Sequence, residues 1–365
     1  MDDKKTLINA AVCYEFGKPL KIEKIFLAPP SEFEIQVKLV ACAICHSDIS
    51  SINGIWGGKL PAVYGHEASG VVSKIGKKIT DVALGDRVLV SLIKACGNCE
   101  SCNNNKPTSC LHAYDEEPTP LSCTNQTEIT KGMKTAAFAE QVTVSREQCV
   151  KLPDDIPLDE AALISCGVIT GYGAVTNTAK LKKNQTAVII GAGGVGLNTI
   201  QAAALRGAKK VIVVDTNTKK LKIAKLFGAT DTILDSDGSI VKKVKALTGG
   251  YGCQFVFVTV GAPHAFTYAP ELLRAGGAVI LVGLPSNETR IPYDAVTMAC
   301  MNQAILGSRM GQAVLSRDVK KIIKLWRKKK IKIKELISNR FPLNKINEAM
   351  EETKSGNSNR NIIIF

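Results

Sequence analysis

The stretch "TAVIIGAGGVGLNTIQAAAL", residues 186–205, constrains the fold of this chain more than any other. A strand-sized apolar run ends in Gly191-Ala192-Gly193-Gly194-Val195-Gly196 and passes directly into a helix-forming segment. The G-x-G-x-x-G string is weak alone, but between a strand and a helix it reads as a dinucleotide-binding turn. Gly191 permits the tight turn, Gly193 lets backbone approach a pyrophosphate, and Gly196 lets helix and sheet pack closely. Gly194 and Val195 open the helix whose N-terminus faces the phosphate charge. Asp215 follows 19 residues after Gly196, at the end of "VIVVD". A carboxylate there accepts both ribose hydroxyls of NAD and repels the 2′-phosphate of NADP. Lys219 and Lys220 keep an NADP reading open. FAD is disfavoured, because FAD-type fingerprints usually open a chain and this one lies in mid-chain.

The surroundings agree. After "KLPDDIPLDEAALISCG", apolar runs such as "KKVIVVDTN", "QFVFVTVG" and "GAVILVGL" alternate with "NTIQAAALRGA", "KKLKIAKLFGAT" and "APELLRAG", read as helical. That alternation predicts a doubly wound parallel sheet covered on both faces, an α/β Rossmann domain. Up to about residue 150 the texture differs: short β-prone runs broken by Gly, Pro and Asp, as in "FEIQVKLVACAI" and "GDRVLVSLI", predict an irregular, barrel-like β domain. A charged helix near 318–330 and a terminal strand in "NRNIIIF" follow the sheet. The doubly wound domain is therefore expected as an insertion between two parts of the other.

At 365 residues the chain has room for two sizeable cores, and its apolar runs are too short to span a membrane. The N-terminal "MDDKKTLINAAV" lacks the apolar core of a secretory signal, so the cytoplasm is the expected compartment. Net charge is +14, and nine basic residues fall in 320–334. Val319, Ile322, Ile323 and Trp326 recur there at helical spacing, which makes the lysines a solvated helix face. With no zinc-finger, KH or RRM pattern, nucleic acid is not expected as a partner.

Twelve cysteines are many for a protein of a reducing compartment, where clustered thiols read as metal ligands. "CGNCESCNNNKPTSC" places Cys96, Cys99, Cys102 and Cys110 in C-x2-C-x2-C-x7-C order, which can close a tetrahedron around a structural zinc. An iron–sulfur cluster of bacterial type would want its fourth cysteine at position 106, which is Lys106.

"ACAICHSDIS", residues 41–50, contains the C-x-x-C-H string of haem attachment, but haem attachment needs export. Cys45 has other partners downstream: His66 and Glu67 in "GHEASG", and Cys166, where the β-rich half gives way to the nucleotide domain. Two thiolates, one imidazole and one open position make a Lewis-acid zinc site for water or an alcohol, the open position passing to Glu67 or substrate. Ser47 is the first proton-relay hydroxyl, and Asp48 can orient His66 through its second nitrogen. Cys42 reads as a core thiol. His112 and His264 carry no motif.

"CHSD" at 45–48, "GHEASGVVSKIG" at 65–76, the cysteine lobe, Cys166 and "GAGGVG", in this order and spacing, make the chain resemble the zinc-dependent medium-chain alcohol dehydrogenases. The resemblance covers essentially the whole chain. It implies a GroES-like catalytic domain over 1–166 with a structural zinc lobe at about 94–112, a Rossmann domain over 167–309, and a segment 310–365 completing the first. It places the catalytic zinc on Cys45, His66 and Cys166 with Glu67 nearby, the relay hydroxyl on Ser47 and the ribose-binding acid on Asp215. His46 and Arg360 would meet the pyrophosphate, and two zinc ions per chain are implied.

Some positions depart from relatives. Ser50 stands where liver-type enzymes carry the outer relay histidine. Trp56 stands where glutathione-dependent formaldehyde dehydrogenases carry an acidic residue. With Leu92, Trp56 suggests an apolar pocket for a primary, hydrophobic or aromatic alcohol and its aldehyde. The expected activity is NAD-dependent alcohol oxidation, reversible as aldehyde reduction, by a homodimer or homotetramer with no membrane partner. Three alternatives remain: an NADPH-dependent reductase of cinnamyl-alcohol-dehydrogenase type, an S-(hydroxymethyl)glutathione dehydrogenase, and a non-catalytic zinc-stabilised nucleotide-binding protein.

Overall fold

In the computed structural model, which describes residues 5–365, strand Glu34–Ala43 organises the β-rich part. It pairs antiparallel with Glu67–Ile75, with Gln141–Ser145 and with the terminal strand Arg360–Ile364. Its β-branched and aliphatic residues are buried for most of its length, as a strand covered on both faces requires. Ile363 lies opposite Cys42, and Cys42 is fully buried, so this thiol is core and burial raises its pKa well above the usual value. The sheet continues through Arg87–Ser91 and Cys149–Lys151 on one side and Ile337–Pro342 on the other. A closed five-stranded barrel adjoins it in sequence: Thr6–Cys13, Lys21–Leu27, Leu121–Ser122, Glu128–Lys131 and Ala62–Val63. One apolar cluster, including Ile25, Leu27, Ile35, Val37, Phe138 and Ile363, fills this part.

The doubly wound part holds six strands in the order Asp231–Leu234, Lys210–Asp215, Thr186–Ile190, Cys253–Val258, Leu273–Leu281 and Ala304–Gly307. Every neighbouring pair is parallel. The central strands are buried almost end to end, which explains their unbroken Val/Ile sequences. Helices Gly194–Leu205, Thr218–Leu226 and Ile240–Leu247 supply the crossovers. "APELLRAG" departs from its helical reading: Ala269–Leu272 is a single 3-10 turn, and Leu273 already starts a strand. The flexible "RAGG" bends in that strand, which a propensity reading takes for a helix end.

The backbone contacts divide the chain into two units. The first runs to Gly167 and resumes at Val314–Ile323 and Ile333–Phe365; the second is Val168–Ala313 with Lys324–Lys332. The architecture is a GroES-like β-rich domain plus a Rossmann domain, the expected fold class. Helix Leu315–Arg327 buries Val319, Ile322 and Ile323, while Trp326 is only half-buried. Its first turn is held by Asp318, fully buried, whose carboxylate accepts from Arg317 Nε at 2.8 Å, Arg317 Nη2 at 2.7 Å and the Val314 N–H at 3.0 Å. Helix Leu158–Thr178 is long and apolar enough to cross a membrane, but 83% of its most apolar window is buried inside the protein, as in a core helix.

Candidate active site and zinc sites

Cys45 caps the short helix His46–Ile52, and Asp48 in its first turn faces back. Asp48 is fully buried and every contact of its carboxylate is local to this corner. Oδ2 accepts the Cys45 N–H at 3.1 Å, while Oδ1 accepts the Gly65 N–H at 3.0 Å and pairs with His66 Nδ1 at 2.8 Å. Three backbone and ring groups on two elements are thus tied to one carboxylate. With Nδ1 donating to Asp48, the His66 tautomer leaves Nε2 as a lone pair, and Nε2 lies 3.3 Å from Cys166 Sγ.

Cys166 sits in the segment Ile164–Val168, where the long helix widens into a π-turn. Such widened turns re-aim a side chain out of the α-helical register and recur at functional sites. Ser91 Oγ donates to the Ser165 carbonyl at 2.7 Å and pins the segment to strand Arg87–Ser91. Nothing in the sequence periodicity signals this π-turn; Cys166 was legible only as a cysteine in the right place.

The donor atoms of Cys45, His66, Glu67 and Cys166 all lie within 4.8 Å of one another, and all four residues are buried. The set suits zinc: two sulfurs, one oriented imidazole nitrogen and one carboxylate. The electrostatics also call for a cation. Contact between the two thiols, then burial, splits them: Cys45 is held well below the usual thiol range by Cys166 and His66, and Cys166 is pushed well above it. Burial drives the Glu67 carboxyl up to about 7, against the pull of Arg360. Ser47 Oγ is 3.2 Å from Cys45 Sγ.

Arg360, which the resemblance assigns to cofactor phosphate, has a buried guanidinium that is ion-paired with Glu67. Gly167 makes room for it, since a Cβ there would stand 3.1 Å from Arg360 Nη1. His46 is exposed at the start of its helix, Ser50 is half-buried, and so are Trp56 and Leu92.

In the cysteine lobe the Sγ atoms of Cys96, Cys99, Cys102 and Cys110 are also within 4.8 Å of one another. Cys96 and Cys102 sulfurs are 4.0 Å apart and those of Cys99 and Cys110 3.9 Å. A zinc–sulfur bond of about 2.3 Å implies a tetrahedral edge of about 3.8 Å, so the spacing fits. Backbone N–H groups of Cys96 and Cys99 point at the sulfurs of Cys110 and Cys96, at 3.3 and 3.4 Å. Cys99 is drawn down to about 6, chiefly by the N–H groups of Leu111 and Cys102, while burial pushes Cys102 up to about 12.

In the second unit the glycine turn has the shape its sequence implies. Gly191 adopts φ +98°, in the left-handed region, and a Cβ at Gly196 would stand 2.0 Å from the Gly191 carbonyl oxygen. Around Gly193 there is open space. Gly194, Val195 and the rest of the first turn open helix Gly194–Leu205. Asp215 Oδ2 accepts the Ala192 N–H at 2.7 Å, and Oδ1 accepts the Asn217 N–H at 2.8 Å, which fixes the carboxylate beside the turn. Lys219 is exposed and Lys220 half-buried on the following helix.

Residues 31–154 match the family described as the alcohol dehydrogenase GroES-like domain, and residues 194–328 that described as zinc-binding dehydrogenase. Among solved structures, the chain is similar to an alcohol dehydrogenase zinc-binding domain protein from Burkholderia ambifaria, at 27% identity and TM-score 0.94 over 99% of this chain and 100% of that one. It is similar to benzyl alcohol dehydrogenase from Acinetobacter calcoaceticus at 27% identity and TM-score 0.93, with 99% of each chain covered. A protein from Sinorhizobium meliloti 1021, described as a zinc-binding dehydrogenase and bound to NADP, shares the fold at 24% identity and TM-score 0.83, over 99% of this chain and 100% of that one.

Proposed function

The chain belongs to the zinc-dependent medium-chain alcohol dehydrogenases, and from that premise we propose that it transfers hydride reversibly between NAD(H) and a primary, hydrophobic or aromatic alcohol and its aldehyde. The observation that carries this reading is the buried Cys45–His66–Glu67–Cys166 cluster, with His66 aimed by Asp48. Cys45, His66 and Cys166 would hold a zinc ion, which when bound would supply the Lewis acidity that lowers the pKa of an alcohol hydroxyl. Asp48 keeps His66 in the tautomer that presents Nε2, and Ser47 accepts the alcohol proton and passes it outward. Glu67 stands by as the fourth donor, its charge balanced by Arg360.

Asp215 supports NAD: its carboxylate is anchored beside the glycine turn, where it receives ribose hydroxyls and repels a 2′-phosphate. The half-buried Trp56 and Leu92 support an apolar substrate, as does the likeness to a benzyl alcohol dehydrogenase. The four-cysteine lobe would hold a second, structural zinc. Assembly as a homodimer or homotetramer is supported by the stretch 284–306, in which Leu284, Tyr293, Val296 and Met301 are exposed and helix Ala295–Cys300 buries none of its residues. The clustering of cysteines as metal-ligand sets supports a reducing compartment, the cytoplasm.

The test is reduction of NAD⁺ and NADP⁺ across ethanol, longer alkanols, benzyl and cinnamyl alcohols and hydroxymethylglutathione, together with a zinc count. NAD⁺ reduction with benzyl-type alcohols and about two zinc ions per chain is expected. Turnover of hydroxymethylglutathione alone, or NADP⁺ used at least as well as NAD⁺, overturns the reading.

A further inference from the structure

We propose that the edge of the Rossmann sheet at which its strands begin is a docking surface for a single-stranded nucleic acid. The net charge of +14 is not spread over the molecule. The second unit carries 22 Lys and Arg against 7 Asp and Glu, and the rest of the chain 25 against 26. The whole excess therefore belongs to one unit, a difference that motif reading, which set nucleic acid aside, does not detect.

Within that unit part of the basic surplus gathers at one edge of the sheet, although Lys219 and Lys220 accompany Asp215 at the other. All strand pairs are parallel, so the connections fall on two opposite edges of the sheet. Asp215, Asp235 and Asp237 lie at or just after strand ends, on the edge of the glycine turn. At the opposite edge, Lys182 and Lys183 precede strand Thr186–Ile190, and Arg206 and Lys209 precede strand Lys210–Asp215; all four are exposed. Lys225 is exposed in the last turn of Thr218–Leu226. Of the acids at this edge, Asp231 is already occupied by Lys210, at 3.2 Å, and Glu271 is exposed just before strand Leu273–Leu281.

The lysine-rich tail extends the same surface. Lys332 Nζ donates to the Leu226 carbonyl at 2.6 Å and lies 5.8 Å from the Phe227 ring centroid. Its backbone N–H donates to Gln201 Oε1 at 2.9 Å, and its carbonyl accepts from Gln201 Nε2 at 3.2 Å. These contacts moor the exposed Lys328, Lys329 and Lys330 close in sequence to an anchor at the foot of Lys225's helix. An aromatic group completes the pattern. Tyr251 is 76% exposed on a turn whose Gly249, Gly250 and Gly252 all have positive φ, and it leads into Cys253–Val258, the strand beside Thr186–Ile190.

Cations on several loops at the same edge of the sheet as an exposed ring suit a flexible phosphodiester chain, whose phosphates follow the charge while an unpaired base stacks on the tyrosine. A duplex would leave Tyr251 without a base, and an anionic bilayer would use the cations alone. The experiment is fluorescence anisotropy of the full, zinc-loaded protein with a labelled oligouridylate of about 20 nucleotides, over roughly 50 to 200 mM salt. Expected are binding that weakens steeply with salt, at least a ~10-fold loss in a Lys225→Glu/Lys328→Glu/Lys330→Glu variant, and a ~5-fold or greater loss in Tyr251→Ala with the salt slope kept. Alcohol oxidation should stay unchanged in both. No binding at the lowest salt, equal binding by either variant, or equal or tighter binding of duplex or phosphatidylserine vesicles overturns the proposal.

Discussion

Arg360 and Glu67 form an ion pair in the interior of the first unit, their side chains 6% and 0% exposed. Each charge is buried on the strength of the other, and the pair adjoins Cys45, His66 and Cys166. Arg360→Ala leaves a carboxylate uncompensated and is expected to cost about 3–5 kcal/mol of stability, whereas Glu67→Gln combined with Arg360→Met should cost less. Urea unfolding of the zinc-loaded variants decides it. Equal losses in the single and the double variant would show that the charges do not depend on each other.

Asp48→Asn keeps the shape of the residue but removes the charge that His66 Nδ1 faces at 2.8 Å. A fall of about 10- to 100-fold in zinc affinity or in kcat/KM is expected. Zinc titration followed by steady-state kinetics measures both, and unchanged values would mean that Cys45 and Cys166 alone orient the site.

Asp215→Ser removes the carboxylate beside the glycine turn while leaving a hydroxyl that can still accept the Ala192 N–H. The ratio of kcat/KM for NAD⁺ over NADP⁺ should drop by about 10-fold or more, as roughly 1.4 kcal/mol of charge repulsion or ribose bonding is lost. A ratio that does not move places cofactor choice elsewhere.

Cys99→Ala should lower the zinc content from about two ions per chain to about one, with the lobe at 94–112 becoming sensitive to protease. Elemental analysis and limited proteolysis read the two effects. Two ions retained would show that the remaining three sulfurs suffice.

The Asp318 carboxylate sits below the usual range: burial opposes its charge, but Arg317, the Val314 N–H and Lys321 outweigh it. A lowered folded-state value means that the contribution to stability is present above the unfolded carboxylate pKa, about 3.9, and is lost as pH falls through the folded value. Asp318→Asn should therefore be less stable by about 1–3 kcal/mol at neutral pH, with the gap closing below about pH 4. Denaturant curves across that range test it; a gap independent of pH would assign the loss to packing.

What was legible in the sequence was what is local in it. The glycine spacing, the four clustered cysteines and the Asp48–His66 relation follow from donor types at short, fixed separations, and each can be read before any fold is known. Cys166 and Arg360 are different. A π-turn aims Cys166, yet π-turns leave no periodic mark in one sequence. The pairing of Arg360 with Glu67 depends on the register of the terminal strand against Ala43, which no local pattern shows. The charge division was hidden for a similar reason, because Lys324–Lys332 lies in sequence among residues of the first unit but packs with the second. "APELLRAG" failed through backbone freedom at its glycines, where propensity favours neither outcome.

The pairing of Arg360–Ile364 with Glu34–Ala43 joins segments more than 300 residues apart. On a ribosome, residues 168–313 emerge before that closing strand exists. The Rossmann sheet, all six of whose strands lie within that span, can assemble while the sheet built on Glu34–Ala43 waits for its last strand. Arg360, the buried partner of Glu67, arrives with that strand, so the corner around Cys45, His66 and Cys166 is completed only at the end of synthesis.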